Sequence, residues 1–358
     1  MNSSASSQLA LEPLFGLGHV LVAGLSLTGI ISNSILLHFL RRTSIVDTNV
    51  KFILSHLGAC ALVGLIYMVL KSSLTLGFVY TVGKLPPAAP PSLCYLSERL
   101  FVCSAAGVLI SLVVLGLERL LVTKRCLRSH LHQEESISQW VIWFLAGCWT
   151  VLAALFLLNF ILNLAPAAPL PYCDNVLNMN KYPSVRLVTN LLFLVGELCS
   201  IGVFVGVFYL SQNRLKAFAI NQAYLSLRAR ILLRRSVGLS TFLIPAAILH
   251  AVLHVPQLAW NLTLEHFSVS QSKALLISTY LLYLPHVVYL NIYALLCLFG
   301  GEPIRGQVLA SCVIENRRRS GPSFSMSENP VSSEEESCIR MQNLENMWNK
   351  AYYSNQKK

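Results

Sequence analysis

The feature that most limits how this chain can fold is a series of seven apolar segments, each long enough to cross a lipid bilayer. They run over residues 14–40, 50–72, 94–122, 140–164, 184–210, 236–262 and 273–299. A helix needs roughly 20 apolar residues to span the hydrocarbon core, and backbone amides there must be paired within the segment. The sequence therefore predicts an all-α membrane protein built as a seven-transmembrane helix bundle.

Composition supports a membrane protein over a soluble one. Charged residues make up 12% of the 358 residues and apolar residues 54%, whereas soluble domains carry about 25% charged residues. A soluble protein with buried helices could not cover its surface with so little charge. The net charge of +11 does not indicate nucleic-acid binding, because the Lys and Arg residues form no single face or stripe.

The basic residues instead fall in alternate loops. One set of loops holds three of them, namely Lys84, Lys181 and Lys273, whereas loops 41–51, 119–139, 211–236 and the segment after 299 together hold 21. Loops rich in Lys and Arg stay in the cytosol. We therefore expect the N-terminus outside the cell and the C-terminus in the cytosol.

This orientation predicts four parts along the chain. Residues 1–13 form an extracellular N-terminus and 14–299 the bundle. Residues 300–319, with apolar residues at helical spacing before a run of three Arg, predict an amphipathic juxtamembrane helix on the lipid of the inner leaflet. Residues 320–358 are Ser-rich and acidic, which predicts a disordered cytosolic tail.

The predicted outer surface contains candidate modification sites. Cys94 and Cys173 both face the oxidising side, where a disulfide can persist; two free surface thiols are the alternative. Asn2 and Asn261 begin Asn-x-Ser/Thr sequences and are candidate glycosylation sites. Asn261 qualifies only if the sixth helix ends near it.

An acidic and a basic residue stand side by side in LVVLGLERLLVTKR, at the end of the third segment. Glu118 and Arg119 could be membrane anchors whose charges reach the headgroups. Alternatively, each binds a partner on another element that is gained or lost when helices shift, because neighbours on a helix do not face each other. Tyr209, Arg230 and Arg234 are the expected partners for such a switch.

Together these features resemble a G-protein-coupled receptor: seven spans, an outside N-terminus, a Cys opening the third helix and an acidic–Arg pair closing it. The landmarks of the large rhodopsin-like family are only partly present. Asn33 agrees with that family, but His56 lies where an Asp would be expected and the sixth helix lacks the aromatic–Pro motif. Asn291 and Tyr293 also have no Pro between them.

The chain more closely resembles the nematode chemosensory serpentine receptors of the Sra and Srab type. DTNVKFIL is similar to their Asn-x-Lys entry to the second helix. CYLSERLF…GLERLLVTKR is similar to their third helix, which ends in Glu-Arg-x-x-Ala-Thr, although Val122 takes the Ala position. NQAYLSLRARILLRRSVGLSTFLIP is similar to the Leu-Ser-x-Arg run before their Pro-bearing sixth helix. With the helix spacing, the resemblance covers roughly residues 14–310.

This resemblance implies a plasma-membrane receptor for olfaction or a related chemical sense, with the sensory cilium as a candidate compartment. It would bind a small external molecule and activate a heterotrimeric G protein, with Glu118 and Arg119 as the activation switch. The basic third inner loop would contact the G protein through Arg214, Arg228, Arg230 and Arg234. The simpler interpretation is that this loop only fixes topology. Homo- or hetero-oligomerisation stays open.

Polar and aromatic residues in the outer halves of the helices are candidates for the ligand pocket, because ionisable groups within a span are costly and usually face the interior or a cavity. The candidates are Glu98, Arg99, Phe101, Glu197, His254, Gln257, Tyr280, Tyr283 and His286. Trp260 belongs equally well to the aromatic belt at the membrane surface. For Glu197 a structural hydrogen bond is the alternative.

The sequence predicts neither a metal site nor a cofactor. His250 and His254 share a helix face, and His286 could join them, but no Cys or carboxylate at ligand spacing completes a metal site. Nucleophile elbows, His-Glu-x-x-His, P-loops and dinucleotide turns are absent from the sequence, so we expect no enzyme.

A transporter or ligand-gated channel is the alternative class of function. It is disfavoured because the spans show no internal repeat and few buried charges. An insect-type odorant-gated channel would have its N-terminus inside, opposite to the charge pattern. Among receptors, the bitter-taste type is the nearest rival.

Overall fold

The computed structural model describes residues 13–42, 47–82, 91–125, 139–163, 183–220, 227–263, 276 and 279–299. Throughout these residues the regular structure is helical, with no strand, which confirms the all-α prediction of seven helices. The proposed extracellular N-terminus, juxtamembrane helix and tail lie outside the described residues. The helices are α1 Pro13–Arg42, α2 Thr48–Val82, α3 Pro91–Arg125, α4 Gln139–Asn163, α5 Pro183–Ile220, α6 Leu227–Thr263 and α7 Leu284–Phe299, the last preceded by a π-helical turn, Thr279–Tyr283.

Within the described part of the chain, six helices are long and apolar enough to cross a membrane. The exception is α6, whose apolar stretch Leu243–Pro256 is shorter. Three helices run well beyond the apolar segments predicted for them: α2 continues to Val82, α5 continues to Ile220 and α6 begins at Leu227. Polar residues outside the hydrocarbon change the environment of a helix but do not end it without a Pro or Gly signal.

Helix α3 lies at the centre of the bundle. It packs against α2, α4, α5 and α6, while α7 packs against α1 and α6 and closes the ring. In its most apolar 18-residue window, 72% of α3 is buried, compared with 11% for α4. Large apolar side chains such as Trp143, Val151 and Leu198 therefore point outward, as expected for helices whose outer faces meet lipid.

Side-chain amides and a histidine connect the peripheral helices. Asn33 on α1 donates a hydrogen bond to the carbonyl of Leu290 on α7, at 3.2 Å, and Asn291 returns one to α1. His56, which stands where an Asp was expected, contacts Ser111 on α3 at 2.8 Å and accepts a 2.9 Å hydrogen bond from Trp149 on α4. Helix α4 is thus tied to the bundle by a polar contact as well as by packing.

Glycine brings α2 and α3 together closely. A Cβ atom added at Gly64 would overlap the side chain of Ser104 on α3, and one added at Gly107 would overlap Cys60 on α2. Membrane helices gain van der Waals contact by such small residues because lipid supplies no hydrophobic driving force between them.

Replacing Gly64 with Val is expected to reduce thermal stability, because overpacking a close contact costs about 1–3 kcal/mol. Gly77→Val is the matched control, since a Cβ at Gly77 on the same helix meets nothing within 4 Å. Both variants are melted in detergent beside the wild type. Equal melting temperatures for the two variants would contradict the close approach of α2 and α3.

A proline explains the irregular start of α7. Pro285 has no backbone N–H to donate to the carbonyl four residues before it, so one α-helical hydrogen bond is missing and the preceding turn is free to adopt another geometry. The π-helical turn Thr279–Tyr283 lies immediately before it, and Tyr283 and His286 on either side are both buried. Pro245 and Pro256 lie inside α6.

Candidate functional site

At one end of α3, Arg119 is held between two carboxylates. Its side chain is 1% exposed, and its Nε and Nη2 atoms donate to the carboxylate of Glu118 at 2.5 and 2.9 Å. Nη2 also lies 2.9 Å from Oδ2 of Asp47, just before α2, and Asn49 contacts Glu118 at 3.5 Å. We call Asp47, Asn49, Glu118 and Arg119 the arginine cluster.

The structure shows partners for Glu118 and Arg119 that differ from the expected ones. Glu118 and Arg119 bind each other, because the long Arg side chain can turn back along the helix to reach its neighbour. Tyr209 is 62% exposed and is not part of the cluster. The side chains of Arg230 and Arg234 lie outside the described residues. Asp47, in the short connection before α2, supplies the partner from another element.

The expected G-protein contacts lie near the same end. Arg214 is exposed on α5, and one turn earlier Ser211 lies 3.3 Å from Thr123 on α3. The side chain of Arg228, like those of Arg230 and Arg234, lies outside the described residues. The structure therefore shows an exposed basic side chain at the same end of the bundle as the arginine cluster, without testing its role.

At the other end of α3, Glu98 accepts hydrogen bonds from two helices. Its Oε1 atom is 2.5 Å from Nζ of Lys71 and 2.8 Å from the hydroxyl of Tyr67, and Oε2 accepts from Tyr283 at 3.2 Å. Lys71 also donates to the Tyr283 hydroxyl at 2.6 Å. We call Tyr67, Lys71, Glu98 and Tyr283 the lysine cluster. Lys71 lies inside an apolar segment, and a charged residue there usually faces the bundle interior. This signal was present in the sequence, but Lys71 was not predicted as a site residue.

A third group, the histidine cluster, consists of Glu197, His250, His254 and His286. Oε1 of Glu197 lies 2.6 Å from Nδ1 of His250 and 3.7 Å from Nδ1 of His254. Nε2 of His254 is 3.2 Å from Nδ1 of His286, whose Nε2 is 3.5 Å from Oγ of Ser104. The sequence placed the first two histidines on one face of α6, but it did not connect them with the carboxylate on α5.

Phe101 joins the lysine and histidine clusters. Its ring centroid is 5.3 Å from that of Tyr283 and 4.9 Å from that of His286, both in edge contacts. One continuous set of contacts therefore includes six of the nine expected pocket residues, from α3, α5, α6 and the α7 region. They are Glu98, Phe101, Glu197, His254, Tyr283 and His286.

Of the other three expected pocket residues, two make further contacts and one is not described. Arg99 lies over the ring of Phe156 on α4, 5.3 Å from its centroid. Tyr280 donates to the carbonyl of Leu14 on α1 at 2.7 Å. The side chain of Gln257 lies outside the described residues.

The predicted modification sites are not tested by the structure. The side chain of Cys94 and all of Cys173 and Asn2 lie outside the described residues. Asn261 belongs to the last turn of α6, which ends at Thr263, but its side chain is likewise not described.

No family model matches the chain, and no curated protein matches it either. Function is therefore inferred from the three clusters and from α3, which connects them. Phe101 and Glu118 are 17 residues apart on this helix, which corresponds to about 26 Å at 1.5 Å per residue. A displacement of α3 at one cluster would reach the arginine cluster across most of a bilayer.

Proposed function

We propose that this chain is a G-protein-coupled chemosensory receptor of the plasma membrane, with its N-terminus outside and its C-terminus in the cytosol. It binds a small external molecule and activates a heterotrimeric G protein. The observation that carries the proposal is the buried guanidinium of Arg119, held by Glu118 and by Asp47 on another element. The seven-helix fold and the sequence resemblance to nematode receptors support the same function.

The arginine cluster has the properties of a two-state contact. Charge-assisted hydrogen bonds are roughly twice as strong as neutral ones, and a buried cation that loses its partner pays a large desolvation cost. Arg119 therefore stays with Asp47 until another arrangement of the helices offers it a different partner or water. Such a contact favours one arrangement of α3 relative to the start of α2.

The ligand acts at the contact set between the lysine and histidine clusters. A molecule that replaces the contacts of Phe101 or Glu98 binds the two arrangements of α3 with different affinity. Only that difference can shift the equilibrium towards the active arrangement. A rigid helix of about 26 Å between the two regions transmits the change.

Arg119→Ala is expected to reduce G-protein activation at least about tenfold, because it removes the guanidinium that must bind a new partner in the active arrangement, and a hydrogen bond to a charged group contributes about 1.5–3 kcal/mol. Activation is measured in cells with and without a panel of volatile and soluble chemicals, at matched surface level. Lys124→Ala is the control, since Lys124 is an exposed basic residue on the same end of α3. Full signalling by Arg119→Ala contradicts the switch.

A transporter or ligand-gated channel is the second candidate, and one observation favours it. Ionisable groups of α1, α3, α5, α6 and α7 are buried inside the bundle, and such groups often mark ion or proton pathways. The same cells decide between the two functions. A ligand-dependent current or solute flux without G-protein activation would contradict the receptor function and support a transporter or channel.

A further inference from the structure

We propose that Glu197, His250 and His254 bind a transition-metal ion between α5 and α6, and that Zn²⁺ fits this site best. The two histidines are one helical turn apart on α6, so their rings share a face. Glu197 reaches the same point from α5. The site does not depend on the proposed receptor function.

The three side chains already stand near metal-binding geometry. One ligand atom from each residue lies within 4.8 Å of those from the other two. Tetrahedral Zn²⁺ with bonds of 2.0–2.2 Å places its ligand atoms about 3.4 Å apart. The distances of 2.6 and 3.7 Å from Oε1 of Glu197 to the two Nδ1 atoms fall on either side of that value. Small side-chain rotations therefore suffice to admit an ion.

The polar atoms at the centre of the site lack hydrogen bonds. Within the described part of the chain, neither carboxylate oxygen of Glu197 and neither ring nitrogen of His250 makes one, and all four atoms are buried. Nδ1 of His250 approaches the carboxylate to 2.6 Å without the alignment of a hydrogen bond. A buried carboxylate that contacts two histidines but makes no aligned hydrogen bond is costly, and a cation bound by all three residues lowers that cost.

The neighbouring residues would hold His254 in the required tautomer. If Nδ1 of His254 binds the ion, its Nε2 atom carries the proton and donates to Nδ1 of His286, 3.2 Å away. Nε2 of His286 then carries its own proton and points to Oγ of Ser104 at 3.5 Å. Partners of this kind orient metal-binding histidines and raise their basicity.

The ligand set selects the class of ion. Two imidazoles and one carboxylate suit Zn²⁺ and its first-row neighbours, whereas Mg²⁺ and Ca²⁺ prefer oxygen ligands alone. Three protein ligands leave a fourth Zn²⁺ position for water or for a donor atom of a bound molecule. An ion here would join α5 to α6 and so restrain their relative movement.

The test is a Zn²⁺ titration of the full-length protein, purified in detergent without a histidine tag, against a chromogenic zinc chelator of known affinity. Wild type is expected to bind one Zn²⁺ per chain. Glu197→Gln and His250→Gln are expected to weaken binding more than about a hundredfold, and His286→Ala about 10–100-fold because it only supports His254. The control His38→Gln, at an exposed histidine of α1, leaves the affinity unchanged.

The proposal is overturned if wild type takes up no Zn²⁺, or if Glu197→Gln and His250→Gln bind it as wild type does. Should these variants fail to fold, Co²⁺ bound to wild type gives an independent answer. Visible absorption of tetrahedral Co²⁺ without a thiolate-to-cobalt band supports the site. A thiolate band would place the ion on some of the ten cysteines and overturn it.

Discussion

Lys71→Met is expected to lower the free energy of unfolding by about 3–5 kcal/mol, because it leaves the carboxylate of Glu98 buried without its cation. Glu98 is 1% exposed, and Nζ of Lys71 lies 2.5 Å from its Oε1 atom. Glu98→Leu is expected to have a similar effect, since it leaves a buried ammonium group. Unfolding is followed in detergent with a thiol-reactive dye, whose signal rises as the buried Cys297 becomes accessible.

The double variant Lys71→Met/Glu98→Leu is the decisive comparison. Replacing both members of a buried ion pair by apolar residues is often neutral or stabilising, so the double variant should recover most of the loss. The hydroxyls of Tyr67 and Tyr283 lose a partner and limit the recovery. Lys124→Met, at an exposed lysine of α3, should change stability by no more than about 0.5 kcal/mol. Additive losses in the double variant would show that the two charges are not coupled.

Asp47→Asn is expected to raise ligand-free G-protein activation about tenfold at matched surface level. The substitution removes the charge that holds Arg119 from outside its own helix, at 2.9 Å. Hydrogen bonds to charged groups contribute about 1.5–3 kcal/mol, and the 29% exposure of Asp47 places the effect near the lower limit. Weakening the resting contact favours the other arrangement without any ligand.

Asp47→Glu is the matched control because it keeps the carboxylate and lengthens its reach by one methylene group. It should stay close to wild type in basal activity. Unchanged or reduced basal activity in Asp47→Asn would show that the contact with Asp47 does not restrain the receptor. Combining Asp47→Asn with Arg119→Ala should abolish the increase, since the residue that acts on release is then missing.

The helices were predictable from the sequence because each spanning segment must be apolar over a fixed length. The ends of the helices were harder to predict, because nothing in the apolar pattern marks the continuation of α2 to Val82. Six candidate pocket residues proved to be in contact because these ionisable and aromatic groups face the bundle interior. Lys71 and Asp47 were missed as partners because each contact joins residues that are distant along the chain.

The histidine cluster shows the same limit on sequence reasoning. Spacing of four residues placed His250 and His254 on one face of α6, since that relation is local. Glu197 is more than fifty residues earlier, and only the packing of α5 against α6 brings its carboxylate to the two rings. Likewise, the mutual bonding of Glu118 and Arg119 depends on side-chain conformations that sequence spacing does not specify.

Asp47 is also placed to cap α2, because it lies directly before that helix. Its carbonyl accepts the hydrogen bond from the backbone N–H of Lys51 at 2.9 Å, which makes it the N-cap residue of that helix. An N-cap aspartate normally accepts from amides of the first turn, but here its carboxylate contacts Arg119. When Arg119 departs, the carboxylate can cap its own helix, which is worth about 1 kcal/mol. Activation would then lose an interhelical bond and gain a local one, so its net cost is smaller than the ion pair alone indicates.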